Sequence, residues 1–92
     1  MSDTRISRIR ERLEQRFHPE RLDIIDDSAA HAGHPGAARG GHYRLQIVAE
    51  DFRGLALRGR HQAIYAALGE LMSSEIHALS IEALAPGEEI PG

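Results

Sequence analysis

Apolar residues return along this chain in two different periods. Ile6, Ile9, Leu13 and Phe17 recur every three or four positions through a surface of Arg and Glu, which puts them on one face of a helix. Asp3 or Thr4 stands where a cap is expected, and His18-Pro19 should end the helix because a residue before proline is pushed out of the helical region. Leu22 to Asp27 then reads as a short strand with Leu22 and Ile24 inward. From His42 to Ala49 the period is two, with Tyr43, Leu45 and Ile47 on one face and His42, Arg44 and Gln46 on the other. This second strand runs antiparallel to the first if the two form a hairpin. The stretch between them, Ser28 to Gly41, is rich in Gly and Ala and too long for an ordinary hairpin turn, and loops of that length in small domains often carry function.

The stretch from Phe52 to Ile81 holds a turn, a helix and a closing strand. Asp51-Phe52-Arg53-Gly54 has the acid and glycine of a tight turn, leaving Phe52 to anchor it. Leu57, His61, Ile64, Leu68, Leu71 and Met72 share one side of a helix beginning near Leu57, and Ser73-Ser74-Glu75 interrupts its pattern. Ile76 to Ala83 alternates as a half-buried strand, with His77 in step with Leu79 and Ile81. The order α-β-β-α-β, with a short extra turn of helix allowed around Gly54 to Arg58, fits an α+β fold: a three-stranded mixed sheet with helices packed on one face. One domain is expected over residues 1–85, with a flexible tail over 86–92 where Pro86 and Pro91 break the pattern.

Composition narrows the chemistry. Ninety-two residues hold one small core. No apolar run reaches the roughly 18 residues that span a bilayer, and the charged N-terminus does not resemble a secretion signal, so a cytoplasmic location is expected. There is no cysteine, hence no disulfide, thiol redox chemistry or thiolate metal site, and metal ligation falls to six histidines or to carboxylates. All eleven basic residues are arginine, which rules out lysine-based covalent catalysis. The net charge of -3 divides into +2 over residues 1–60 and -5 over residues 61–92, so no excess of positive charge advertises a nucleic-acid partner.

Asp26-Asp27-Ser28, His31-Ala32-Gly33-His34, His42-Tyr43, Phe52-Arg53-Gly54-Leu55, Arg60-His61, Tyr65-Ala66-Ala67-Leu68 and Ile76-His77-Ala78-Leu79-Ser80-Ile81 occur in the order and approximate spacing of the BolA-like family. The chain resembles that family over nearly its whole length. The resemblance implies a fold related to the type II KH domain and two activities: sharing a [2Fe-2S] cluster with a monothiol glutaredoxin, and regulating transcription by binding DNA. In the first, the BolA-like partner supplies the histidine at the start of the last strand, here His77, and a His or Cys from the loop between the first two strands. That second ligand best matches His31, with His34 as its neighbouring rival. A glutaredoxin cysteine and a glutathione thiolate would hold the remaining positions, so the isolated chain is expected to bind no cluster.

Each candidate has a plainer reading. From strand parity alone His77 is a rim histidine bonded to backbone, and His31 and His34 are solvated loop residues, since His-x-x-His in a glycine-rich loop is a weak metal signal. On the inward helix face, His61 is expected to be largely buried and to donate to a carbonyl or carboxylate. His42, with outward parity, could meet the loop ligands but is expected to be exposed. The DNA alternative rests on Arg53, Arg58 and Arg60 near the start of the central helix, where guanidinium groups could hold phosphate. It lacks the Gly-x-x-Gly loop of a KH domain, since the nearest glycines, Gly54 and Gly59, are separated by four residues rather than two. No enzyme activity is expected: Asp27, Ser28 and His31 lie too close on one loop for the fixed geometry of a triad.

Overall fold

A computed structural model describes residues 4–27 and 41–88. The elements run α1 (Thr4–Phe17), β1 (Arg21–Asp26), β2 (Gly41–Val48), a 3-10 turn (Glu50–Phe52), α2 (Leu57–Leu68), α3 (Leu71–Ser74) and β3 (Ile76–Leu84). Strand β2 is central, antiparallel to β1 with Leu22 opposite Ile47 and Ile24 opposite Leu45, and parallel to β3. This is the mixed three-stranded sheet that the two periodicities imply.

The inward row of β2, Tyr43, Leu45 and Ile47, is buried against Ile9, Leu13 and Phe17 of α1 and Ile64 and Leu68 of α2. Residues of the opposite row, such as Arg44 on β2 and Ile25 on β1, are exposed, because no helix among the described residues covers that face. The α1 stripe falls where its spacing puts it, and the helix ends at Phe17 before His18-Pro19, with His18 at φ 48°. The capping expected of Asp3 or Thr4 rests on side chains outside the described ones. Phe52 is fully buried, its ring centroid 5.0 Å from that of Phe17.

Three local expectations are corrected. The short extra helix lies at Glu50–Phe52, ahead of Gly54 to Arg58, because the turn that buries Phe52 is itself a 3-10 turn closed by the Arg53 N–H on the Glu50 carbonyl. The long helical stripe is split: Gly69, at φ 55° and ψ -127°, adopts a backbone that side chains resist and ends α2, so Leu71 and Met72 belong to the separate α3. Arg12 reaches across from α1 to the Leu68 carbonyl at this helix end, where positive charge is favoured. Finally, Leu57 begins α2 65% exposed, and the fully buried stripe of α2 starts about two turns later at Ile64.

Pro86 and Gly87 turn the chain after β3, and the turn is tied back to α2. The Arg60 guanidinium donates to both Glu88 oxygens, at 2.6 and 3.0 Å, and to the Ala83 carbonyl, while Glu88 Oε1 accepts the Ala85 N–H at 2.8 Å. Glu88 is thus tied to both α2 and the end of β3; residues 89–92 lie outside the described ones. The hydrogen bonds from Arg60 and then from the Ala85 N–H lower the Glu88 carboxyl from its ordinary 4.5 to about 2. A depressed carboxylate stabilises the fold above its unfolded pKa and loses that contribution as pH falls through the folded value. The Ala85 amide resonance should accordingly titrate with a midpoint near 2, and a midpoint near 4.5 would mean that Arg60 does not hold Glu88 in solution.

Candidate metal centre

Strand β3 does not keep the parity that its sequence suggests. Ile76 pairs with Gly41 and Ala78 with His42, so His77 is an extra residue in a β-bulge. Ile76 is buried in the place that alternation assigns to His77, and His77 is turned out and exposed. From Leu79 onward the expected parity returns, with Leu79 and Ile81 partly buried and Ala83 fully so. One sign of this was in the sequence: Ile76 and Leu79 are both large and apolar, yet three residues apart, which period two cannot reconcile without an insertion.

The bulge is pinned from both sides. Glu75, just before it, accepts from Arg5 at 3.0 Å and from Arg8, both on α1, and its carbonyl accepts the Gly41 N–H at 3.1 Å. Arg5 also bonds to Tyr43, and these bonds to Tyr43 and Glu75 push its guanidinium pKa still higher. Helix α1, the start of β2 and the start of β3 are thus tied at one corner of the sheet.

His42 opens β2 at that corner and is half-buried, where an exposed residue was expected. Its ring centroid lies 4.9 Å from that of His77, with 53° between the planes. Its backbone carbonyl accepts the Asp27 N–H at 2.7 Å, so the strand pair holds it firmly. Outward parity placed His42 on the correct face, but its proximity to His77 depends on the bulge. His31 and His34 lie outside the described residues. Among the described residues, no group of three or more His, Cys, Asp or Glu forms a set able to hold a metal ion.

The remaining candidates are placed elsewhere. His61 is only partly buried, edge-on to Tyr65 with centroids 6.4 Å apart, and its Nε2 meets no hydrogen-bond partner among the described residues. No carbonyl or carboxylate meets that buried nitrogen among the described residues. Arg53 is bound to Glu50 and, at 2.8 Å, to the Pro86 carbonyl. Arg60, with its side chain only 12% exposed, holds Glu88. Arg58 alone of these three is exposed with no ion pair among the described residues.

The BolA-like protein family model matches residues 13–88, and the chain belongs to that family. It is similar to the BolA domain of SufE1 from Arabidopsis thaliana, with a TM-score of 0.83 and 43% identity over 94% of this chain and 96% of that one. BolA-like protein 1 of Bos taurus is 39% identical over 87% of this chain and 58% of its own length, so the chain spans under two thirds of that relative. The DNA-binding transcriptional regulator BolA of Escherichia coli is 34% identical over 80% of this chain and 69% of its own length. No helix among the described residues is long and apolar enough to cross a membrane.

Proposed function

We propose that this protein is an accessory in iron-sulfur cluster trafficking or sensing that co-ligates a [2Fe-2S] cluster with a monothiol glutaredoxin. The observation that carries the reading is the bulge at His77. A one-residue insertion, anchored by buried Ile76 and by the Arg5–Glu75 ion pair, presents an imidazole to solvent on a rigid strand. The donor set fits such a cluster, since iron accepts neutral imidazole in place of thiolate. Without cysteine the chain can only complete the site, so the glutaredoxin cysteine and glutathione supply the thiolates, and His31 or His34 is the second ligand implied by the family resemblance. The protein's part is to hold His77 at the accessible corner and to bind the partner there. Protein mixed with glutaredoxin, glutathione, iron and sulfide should give a visible spectrum different from that of glutaredoxin alone. His77→Ala should abolish the difference; a mutant spectrum matching wild type would remove His77 from the site.

The name of the Escherichia coli relative supports a second reading, a DNA-binding regulator. Engaging phosphate with Arg53 or Arg60 would first break their bonds to Glu50 and Glu88, so Arg58 is the residue on which this reading rests. Affinity for promoter fragments should fall as salt rises and should weaken in Arg58→Ala. Binding indifferent to both changes would leave the second reading without support.

A further inference from the structure

We infer that His42 and His77 form a two-imidazole chelate for a divalent first-row transition ion on this chain alone, independent of any loop histidine. The inference shares His77 with the proposed function but needs neither glutaredoxin nor a cluster. A metal–imidazole bond of about 2.0–2.1 Å places a ring centroid about 3.2 Å from the ion, so two rings at a tetrahedral angle stand about 5.2 Å apart. The observed separation is 4.9 Å. Two rings on one ion need not be parallel, and the 53° tilt is compatible with both nitrogens turning toward a common point.

The two imidazoles are also held in advance. His42 is fixed by the sheet ladder and by the Asp27 N–H on its carbonyl, and His77 by the bulge between Glu75 and Ala78. Ligands on packed strands keep their geometry better than ligands on a loop. Ala78, the residue paired with His42 on β3, is small and exposed; His77 is exposed too, while His42 is half-buried. Among the described residues no further ligand completes the set, so two positions remain for water or for a partner's donors. That is the arrangement of an open, exchangeable site rather than a closed structural one.

Rings at this distance also suit a simple aromatic contact, and a zinc titration separates the two accounts. Zn2+ added to the isolated full-length chain should move the ring-carbon resonances of His42 and His77 together and saturate at one ion per chain. His42→Asn should weaken binding about tenfold or more, because a chelate is reduced to a single ligand. His42→Cys, which gives the chain its first thiolate, should tighten binding about tenfold or more. A gain of affinity cannot arise from misfolding, and circular dichroism of each variant confirms the fold. His31→Ala and His34→Ala should bind as wild type does. The inference is overturned if the His42 resonances stay still, or if both His42 variants bind zinc as the wild type does. It is likewise overturned if no zinc binds. Because glutaredoxin is absent throughout, none of these outcomes decides the cluster-sharing reading, and a failed cluster assay leaves the zinc result standing.

Discussion

Phe52→Ala is expected to destabilise the fold by about 3–5 kcal/mol, the usual range when a fully buried aromatic ring is removed. Phe52 is 0% exposed and packs at 5.0 Å on Phe17, joining the 3-10 turn after β2 to the last turn of α1. No polar group would be stranded by the substitution, so the cost is lost apolar contact plus the cavity left behind. A domain of this size has about 5–14 kcal/mol of stability in total, so the loss is a large share of it. The urea midpoint followed by circular dichroism reads it directly. Leu57→Ala is the matched control: Leu57 is 65% exposed and should change stability by less than about 0.5 kcal/mol. A loss below about 1 kcal/mol for Phe52→Ala would mean that the turn does not close on Phe17 in solution.

The contrast between Phe52 and Leu57 shows what apolar pattern can and cannot convey. Phe52 was legible because an aromatic beside the glycine of a tight turn has nowhere to go but inward. The three-residue row Tyr43, Leu45 and Ile47 was legible because a central strand packed under helices keeps strict alternation over its whole length. Leu57 was misleading because periodicity fixes a direction around the helix axis and says nothing about how far along that axis the core extends. Gly69 lay in plain view on the polar side of the helical run, but a glycine within such a run is tolerated often enough that its φ of 55° could be learned only from the structure.

At the candidate site the failure has one cause. Counting in twos carried His77 inward with Leu79 and Ile81, whereas one inserted residue reverses the direction of everything before it. The family resemblance drew attention to His77, and the structure supplies a physical reason for its exposure: the Ile76 side chain fills the core and the bulge absorbs the mismatch. The same insertion brings His77 beside His42, a neighbour that strand parity on two separate elements could not reveal. Arg60 was missed as a structural residue for a different reason. Its partner Glu88 lies 28 residues away beyond a proline, and no local pattern encodes a bidentate pair across that distance.

Gly41→Ala is expected to cost about 1–3 kcal/mol and to disturb both histidines of the corner together. A Cβ built on Gly41 would stand 2.3 Å from Tyr43 Cε2 and 2.4 Å from both Cζ and Oη, distances that atoms do not tolerate. The ring cannot simply swing aside, because Tyr43 is 97% buried and its hydroxyl is tied to Arg5. What remains is movement of the strand start, and Gly41 is the residue that pairs with Ile76 across the bulge and donates to the Glu75 carbonyl. A shift there moves the His77 backbone on one strand and that of His42 on the next. Two measurements check this: the thermal midpoint should fall by about 4–8 °C for each kcal/mol lost, and the ring-carbon resonances of His42 and His77 should both shift without added metal. In a Tyr43→Leu background the same glycine substitution should cost much less, since the ring that it strikes is gone. Equal costs in the two backgrounds would place the strain elsewhere and separate the histidine corner from the packing of Tyr43.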